Sequence, residues 1–428
     1  MAAYLNRLHH VSLHVSDVDK LAHDLVSKFK FNLFAARRSD KSHQLAFRKG
    51  SAVFVVSERP NQVRPGSNGR ATRDRSDRLG TSRPGAIGLE GSRCLYDGEP
   101  RYAVDTACNV CFEVDDVRGT SCALLRRGCP VLVPPTRVLD DHGHVTYSVV
   151  RSIVGNVCHT LLDRSKYQGP FLPGFCELQT PRDADADGCP VTHFDHIAYA
   201  CPRGSTPEVM KWYERHFGFK RFFIDSNEDV NDGYILNRDG IGLRLTAMEY
   251  WRCSEAGVKL AMDDHKQPDC KFVIAESLPE QGKNQVDTFL EQHGGPGIQH
   301  IGLYTEDIAT TAETMAQAGV QFFCPPPAYY TQVGKQQEIE NAGHDPQMLS
   351  KHGILLDTDL RWEASPQSTP SNRYLLQVFT KPLFAEDTFF LELIERRGAT
   401  GFGEGNIRAL WRSVQAYMES EEAQKDTL

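Results

Sequence analysis

A short structural unit recurs four times along the chain, and this repeat limits the possible folds more than any other feature. Each copy has an apolar strand, a polar turn with acidic residues, an amphipathic helix and then further strands. The copies open at LHHVSLHVSDVDKLAHDLVSKFKF, NVCFEVDDVRGTSCALLRRGC, FDHIAYACPRGSTPEVMKWYERHFGF and IQHIGLYTEDIATTAETMAQAGV. Apolar residues at helical spacing predict the helices, and alternating side chains predict the strands. The pattern therefore predicts four βαβββ modules.

Two such modules can join edge to edge into an open, cup-shaped barrel, so four modules predict an α+β protein with two cups. We place an N-terminal domain at residues 1–178, a linker at 179–190 and a C-terminal domain at 191–428. The linker contains TPRDADADGCP, which is polar and interrupted by proline and glycine. Residues 59–98 are rich in arginine, serine, glycine and proline, and this composition predicts a mobile surface loop.

Composition argues against several classes of protein. The net charge of −8 disfavours a nucleic-acid or anionic-membrane partner, and no apolar run approaches the roughly 20 residues of a transmembrane helix. No apolar signal segment opens the chain, so we expect its 12 cysteines to be free thiols. Cys108 and Cys111 form a C-x-x-C pair without a second pair at zinc-ribbon spacing, which favours a structural role.

Three residues of the C-terminal half are candidates to bind one metal ion. His196 and His300 occupy the first strands of the third and fourth modules, and Glu392 lies in an apolar run on the last strand. Alone, each histidine would be an ordinary core or surface residue, and Glu392 could face solvent on an edge strand. Together they form a 2-His-1-carboxylate set, which favours non-haem Fe(II) with open positions for substrate and O2. Zinc stays an alternative.

The N-terminal half offers an internal comparison. Aligning the modules places His10 opposite His196, Asn109 opposite His300, and Thr160 opposite Glu392. One imidazole cannot hold iron by itself, so we expect the first cup to be a metal-free structural partner.

Six fragments occur in order in the C-terminal half: FDHI, GGPGIQHIGLYTEDI, HGILLD, YLLQVFTKP, FFLELIER and GFGEGN. Through them, roughly residues 190 to 425 resemble the 4-hydroxyphenylpyruvate dioxygenase family of the vicinal-oxygen-chelate superfamily. LHHVSLHVSDV and QLAFRKGSAVFVVSE are most similar to the dioxygenase-like branch of that family. The resemblance implies that an α-keto acid chelates Fe(II), that O2 binds beside it, and that oxidative decarboxylation of the keto acid supplies electrons.

The resemblance also implies roles for individual residues. Family metal ligands correspond to His196, His300 and Glu392, substrate-contacting amides to Gln285, Gln299 and Gln377, and ring-packing aromatics to Phe379, Phe390 and Phe402. Amides suit such a site because they can donate to a phenol or carboxylate without adding charge near iron. Without the resemblance, the glutamines would be surface residues of strands or helices, and the phenylalanines would be ordinary core.

Three positions depart from the family pattern. Val273 and Ala275 stand where the family usually has proline and asparagine, and Ile407 replaces a phenylalanine. Losing an amide and an aromatic wall would let the substrate ring sit differently, so that oxidation reaches the benzylic carbon and gives 4-hydroxymandelate. Phe379 is retained, which favours the alternative in which ring attack gives homogentisate.

A glycine-rich segment, GATGFGEGN, precedes a predicted helix at residues 406–425. Ile407, Leu410, Trp411, Val414 and Met418 recur at helical spacing and predict one apolar face. We interpret this helix as a lid that keeps water from the site, with plain core packing as the alternative.

The leading prediction is an Fe(II) dioxygenase that converts 4-hydroxyphenylpyruvate and O2 to 4-hydroxymandelate and CO2. One alternative forms homogentisate in tyrosine catabolism, and another is a ligand-binding module without catalysis. The resemblance implies a mitochondrial location, with the cytoplasm as the alternative. A homodimer is one option among the oligomeric states that the sequence leaves open.

Overall fold

Two nine-stranded sheets carry the four repeats in the computed structural model. It describes residues 5–39, 42–59, 94–178, 188–224, 228–238, 241–250, 270–358, 373–399, 401–403, 405–407 and 409. Each sheet curls around a concave face, so the α+β architecture of two open cups predicted from the repeat is confirmed.

The first sheet contains strands β1 to β9, at Arg7–Val15, Asn32–Ser39, Ser42–Lys49, Ala52–Glu58, Thr106–Glu113, Val131–Asp140, Gly143–Arg151, Cys158–Asp163 and Cys176–Glu177. Helix α1 (Val18–Ser27) follows β1, and helix α2 (Val117–Arg126) follows β5. The strand order is β6-β7-β8-β5-β1-β4-β3-β2-β9. The opening strands of the first two modules, β1 and β5, therefore pair at the centre, and they run antiparallel.

The second sheet contains strands β10 to β18, at Val191–Cys201, Phe219–Phe222, Tyr234–Arg238, Ile241–Tyr250, Lys271–Ser277, Gly297–Thr305, Leu355–Thr358, Tyr374–Phe379 and Phe390–Arg397. Helices α3 to α8 span Thr206–Phe217, Gln285–His293, Ile308–Gln317, Ala328–Thr331, Val333–Asn341 and Pro346–His352. Strands β10 and β15 pair antiparallel at the centre, as β1 and β5 do. The βαβββ pattern is modified in two places. Strands β11 and β12 both pair with the same edge of β13, and helices α6 to α8 are inserted before β16.

Aspartates in the polar turns of three modules cap the helices that follow. The Asp17 carboxylate accepts the backbone N–H of Lys20, and Asp116 and Asp307 make the equivalent bonds for α2 and α5. These bonds satisfy backbone donors that have no partner within the first helical turn. The acidic residues of the repeat therefore fix where these three helices begin.

The main apolar core lies between the two sheets and includes residues of both. Phe54 of the first sheet and Phe194 of the second meet edge to face with 5.1 Å between ring centroids. Burying apolar surface of this kind stabilises the folded state by about 25 cal/mol per Å². The two halves are therefore held against each other by a continuous core.

The concave face of the first sheet is filled by apolar side chains of the first half of the chain, including Tyr96, Tyr147 and Phe171. Tyr96 belongs to a segment that we predicted to be part of a mobile loop at residues 59–98. That prediction is wrong at its C-terminal end, because residues 94–97 are buried in the first cup. A short apolar run, CLY, lies within the polar stretch and gains enough burial to fold. Residues 60–93 lie outside the described residues.

Residues 179–187 of the predicted linker also lie outside the described residues, and so does most of the predicted lid helix. The 11 cysteines within the described ranges are all free thiols, as predicted, and Cys108 and Cys111 are buried on β5. Within the same ranges, no helix is long and apolar enough to cross a membrane.

A buried hydrogen bond between a histidine and an aspartate inside the first cup should make a measurable contribution to stability. His14 Nε2 lies 2.8 Å from Asp97 Oδ2, and neither side chain is more than 2% exposed. Replacing Asp97 with asparagine is expected to destabilise the protein by about 1 to 3 kcal/mol near neutral pH, because His14 loses a hydrogen bond to a charged acceptor. Thermal unfolding checks this, with the exposed Asp141→Asn as the control.

We also expect the stabilisation by His14 and Asp97 to depend on pH. Burial opposes ionisation of Asp97, but His14 and the Gly98 N–H hold its pKa below the usual 3.8. A depressed folded-state pKa gives stability that is complete above the unfolded-state pKa and is lost as the pH falls through the folded value. The melting temperatures of the parent and Asp97→Asn should therefore differ at pH 7 and converge below pH 3.8. An equal gap at both pH values would contradict this assignment.

Candidate metal centre

Three neighbouring strands place the candidate ligands beside one another. His196 lies on β10, His300 on β15 and Glu392 on β18, and β15 pairs with both other strands. Gly302 of β15 is opposite His196 on one side and opposite Glu392 on the other. An ideal Cβ at Gly302 would lie 2.4 Å from His196 Cε1. The glycine therefore leaves the space in which the imidazole packs.

The donor atoms of the three candidate ligands form a compact triangle. His196 Nε2 lies 3.3 Å from His300 Nε2 and 3.1 Å from Glu392 Oε2, and His300 Nε2 lies 3.5 Å from the same oxygen. His196 and Glu392 are each 2% exposed at the side chain, whereas His300 is 17% exposed. The open side of the triangle is therefore on the side of His300.

This triangle fits a bound metal ion. Edges of 3.1 to 3.5 Å match one face of a coordination shell whose bonds are about 2 Å long. Two imidazoles and one carboxylate on a single face are the donor set of non-haem Fe(II) sites that keep other positions open. The residues present therefore suit Fe(II), although zinc accepts the same donors.

Electrostatics also favours a cation at this position. Burial lowers the pKa of His196, but Glu392 and Asp195 outweigh burial and raise it to about 9. Burial and the neighbouring His196 lower the pKa of His300. The two carboxylates therefore stabilise a positive charge at His196. A metal ion bound to Nε2 would place positive charge at the same position and would be stabilised by the same carboxylates.

A cavity opens beside the triangle and is lined by every residue that the sequence assigned to the site. The set is His196, Val273, Ala275, Gln285, Gln299, His300, Gln377, Phe379, Phe390, Glu392, Phe402 and Ile407. Their roles in binding and specificity stay predictions. Asn406 also lines this cavity, together with the apolar side chains Ala198, Leu243, Leu245 and Val286, which the sequence analysis did not assign.

A β-bulge explains how Gln299 and His300 both reach the cavity. In an unbroken strand, consecutive side chains point to opposite faces. Here Ala198 pairs with His300 and the next pair is Tyr199 with Ile298, so Gln299 is an extra residue on β15. Such a bulge breaks the alternation locally. The adjacent amide and imidazole can therefore line the same wall.

The amide of Gln377 is bonded to the candidate ligand Glu392. Its Nε2 donates to Glu392 Oε1 at 2.9 Å, and its Oε1 accepts from Asn406 Nδ2 at 3.1 Å. Asn406 in turn accepts a bond from the Tyr329 hydroxyl at 2.8 Å. This network fixes the carboxylate and the glycine-rich segment together. The sequence signal that could have identified Asn406 is its position at the end of GFGEGN.

Aromatic rings enclose the histidines. Phe390 stacks on His300 with 4.8 Å between centroids, and Phe402 meets His196 edge to face at 5.3 Å. Phe379 lies perpendicular to His300 at 6.3 Å. The two imidazoles are therefore held in place by packing against aromatic rings.

The equivalent positions in the first cup are occupied differently. Asn109 Nδ2 donates to Thr160 Oγ1 at 2.8 Å, and the Thr160 hydroxyl donates to the Tyr96 carbonyl oxygen at 2.8 Å. Cys111 stands at the position of Gly302, and burial lowers the pKa of His10 to about 4. At two of the three equivalent positions, hydrogen-bonded neutral side chains therefore stand in place of the candidate metal donors.

Comparison with known proteins gives related chains over the full length. Residues 195–335 match the model of the Glyoxalase/Bleomycin resistance protein/Dioxygenase superfamily. The 4-hydroxyphenylpyruvate dioxygenase-like proteins of Mus musculus and Homo sapiens are each 42% identical, covering 97% of this chain and 98% of theirs. The 4-hydroxyphenylpyruvate dioxygenase of Yarrowia lipolytica is 31% identical over 80% of this chain and 82% of its own.

Among solved structures, a triple mutant of 4-hydroxymandelate synthase from Streptomyces coelicolor has a similar fold. It covers 97% of this chain and 99% of its own, with a TM-score of 0.66 and 21% sequence identity. At that identity, the likeness concerns the fold alone.

Proposed function

The chain belongs to the 4-hydroxyphenylpyruvate dioxygenase family, and we propose on this premise that it is a non-haem Fe(II) dioxygenase acting on an aromatic α-keto acid. The observation that carries the proposal is the triangle of His196, His300 and Glu392 donor atoms, with edges of 3.1 to 3.5 Å, at the wall of an aromatic cavity. Fe(II), when bound there, supplies open positions at which the keto acid and O2 meet.

The protein's own residues would then bind and orient the substrate. Phe379 and Phe390 give the cavity an apolar wall for an aromatic ring, while Gln285 and Gln299 add amides suited to its polar ends. Gln377 holds the Glu392 carboxylate through Nε2. Phe402 and Asn406 form part of the cavity wall and would help to exclude water.

We propose 4-hydroxymandelate as the product. The reaction consumes 4-hydroxyphenylpyruvate and O2 and releases the carboxyl group of the keto acid as CO2. One oxygen atom of O2 enters the new carboxylate formed from the keto carbon, and the other becomes a hydroxyl on the benzylic carbon. Ala275 and Ile407 support this assignment, since they lie in one apolar cluster with Leu243 and Val286 and give that wall neither an amide nor an aromatic ring. Phe379, which also lines the cavity, favours the second candidate product, homogentisate.

The test measures O2 consumption by the iron-loaded protein with 4-hydroxyphenylpyruvate and separates the products by chromatography. Consumption that depends on both iron and the keto acid is expected, with 4-hydroxymandelate as the main product. Homogentisate alone would overturn the product assignment. Keto-acid binding without O2 consumption would overturn the enzymatic proposal in favour of a ligand-binding module.

Changing the apolar wall should change the product. The double variant Ala275→Asn and Ile407→Phe restores an amide and a ring, and we expect the homogentisate fraction to rise on the order of 10-fold, about 1.4 kcal/mol between competing transition states. Ile235→Phe is the matched control, because Ile235 is 42% exposed and is not a cavity residue. An unchanged product ratio in the double variant would show that this wall does not set the outcome.

A further inference from the structure

A second bulge places a carboxylate next to the candidate ligand His196. Phe194 pairs with Leu303 and the next pair is His196 with Gly302, so Asp195 is the extra residue on β10. The bulge brings two consecutive side chains together, and Asp195 Oδ1 lies 2.9 Å from His196 Nδ1. With Nδ1 donating to Asp195, Nε2 is the nitrogen that faces His300 and Glu392, and it can bind a metal ion once it has lost its proton.

Arg396 holds this carboxylate in a fixed orientation. Its Nε donates to Asp195 Oδ2 at 2.7 Å, and its second terminal nitrogen donates to Asp195 Oδ1 at 2.8 Å. The two side chains are only 7% and 13% exposed. A buried, bidentate pair of this kind is strong and geometrically specific. Asp195 therefore has little freedom to turn away from His196.

The same guanidinium reaches the cavity wall. Its remaining nitrogen donates to the carbonyl oxygen of Gly401, and its centre lies 5.7 Å from the Phe402 ring. Phe402 itself contacts His196 edge to face. The contacts form a closed ring, from His196 through Asp195, Arg396 and Phe402 back to His196.

The first cup provides an internal comparison for this ring of contacts. Arg164 of CHTLLDR corresponds to Arg396 of FLELIER, and its guanidinium donates to the Gly169 carbonyl oxygen at 3.2 Å. His9 stands where the second cup has Asp195, and its Nδ1 lies 2.7 Å from His10 Nδ1. The arginine and its glycine carbonyl are thus present in both cups. The carboxylate is present only beside the candidate metal ligand.

We propose that Asp195 and Arg396 are positioning residues for the metal centre. Asp195 orients His196 for metal binding, and Arg396 fixes both that carboxylate and the wall residue Phe402. The inference rests on the proposed iron site at His196. Outer partners of a ligand histidine typically change metal affinity by about 10- to 100-fold when removed.

The experiment titrates metal-free, full-length protein with Co(II) and records the affinity and the visible absorption spectrum. Asp195→Ala and Arg396→Ala are expected to weaken Co(II) binding by about 10- to 100-fold, and Asp195→Asn to alter the spectrum at saturation. Arg164→Ala is the matched control, since it removes the corresponding arginine and glycine contact from the first cup. We expect its Co(II) affinity and spectrum to equal those of the parent.

Each result supports or overturns one of the two proposals. A parent protein that does not bind Co(II) would contradict the iron site itself. A parent that binds, with Asp195 and Arg396 variants within about 2-fold of it and with unchanged spectra, would overturn the positioning roles alone. Equal weakening in Arg164→Ala would assign the effect to general structure. If the alanine variants do not fold, the isosteric Asp195→Asn still decides the outcome through its spectrum.

Discussion

Replacing His300 with alanine is expected to abolish metal retention and to lower keto-acid-dependent O2 consumption by about 1,000-fold or more. The imidazole supplies one of three donors, with Nε2 lying 3.3 Å from His196 Nε2 and 3.5 Å from Glu392 Oε2. The remaining histidine and carboxylate give too few protein ligands to hold Fe(II). Iron content after gel filtration and O2 consumption measure the two effects.

Asn109→Ala is the matched control for this variant, because Asn109 occupies the equivalent strand position of the first cup. It removes hydrogen bonds to Thr160 and Tyr96 and should lower the melting temperature without changing iron content. Full turnover and full iron content in His300→Ala would show that the metal centre lies elsewhere.

Replacing Gly302 with alanine should also disrupt the centre, although glycine offers no ligand. The added methyl group would lie 2.4 Å from His196 Cε1 and 2.5 Å from Nδ1, inside van der Waals contact. The imidazole must move, which separates Nε2 from the other donors, and overpacking of this kind costs about 1 to 3 kcal/mol. We expect a Co(II) affinity at least 10-fold weaker, measured by titration.

Gly334→Ala is the control for the added methyl group. Gly334 lies in α7, and a Cβ there would meet no atom within 4 Å. This variant should keep its metal affinity and gain about 0.5 to 1 kcal/mol, because alanine favours helix. Unchanged Co(II) binding in Gly302→Ala would show that His196 can adjust, and would contradict the role assigned to this glycine.

The residues of the candidate site could be predicted from the sequence, but not how each of them reaches the cavity. The equivalence of His196 and His300 follows from the repeat, and the cavity residues follow from ordered fragments that resemble one family. Local alternation, however, would place Gln299 and His300 on opposite faces of β15. Where a bulge interrupts a strand depends on the register of the partner strand, here β10, about 100 residues away.

In the first cup, the sequence did not predict which part of a polar segment is buried. A polar composition predicted a loop over residues 59–98, but residues 94–97 pack inside the sheet and Tyr96 bonds to Thr160. Composition reports the average tendency of a segment, whereas burial depends on the space that other segments leave.

The sequence by itself determined the number of modules, the pairing of modules into two cups and the chemistry of the three donors. These follow from periodicity and residue type, which are local properties of the chain. The tertiary structure alone decided that Gly302 makes room for His196, that Asp195 and Arg396 enclose it, and that Tyr96 fills the other cup. Each of these depends on contacts between residues far apart in the chain, which exist only after the sheets have formed.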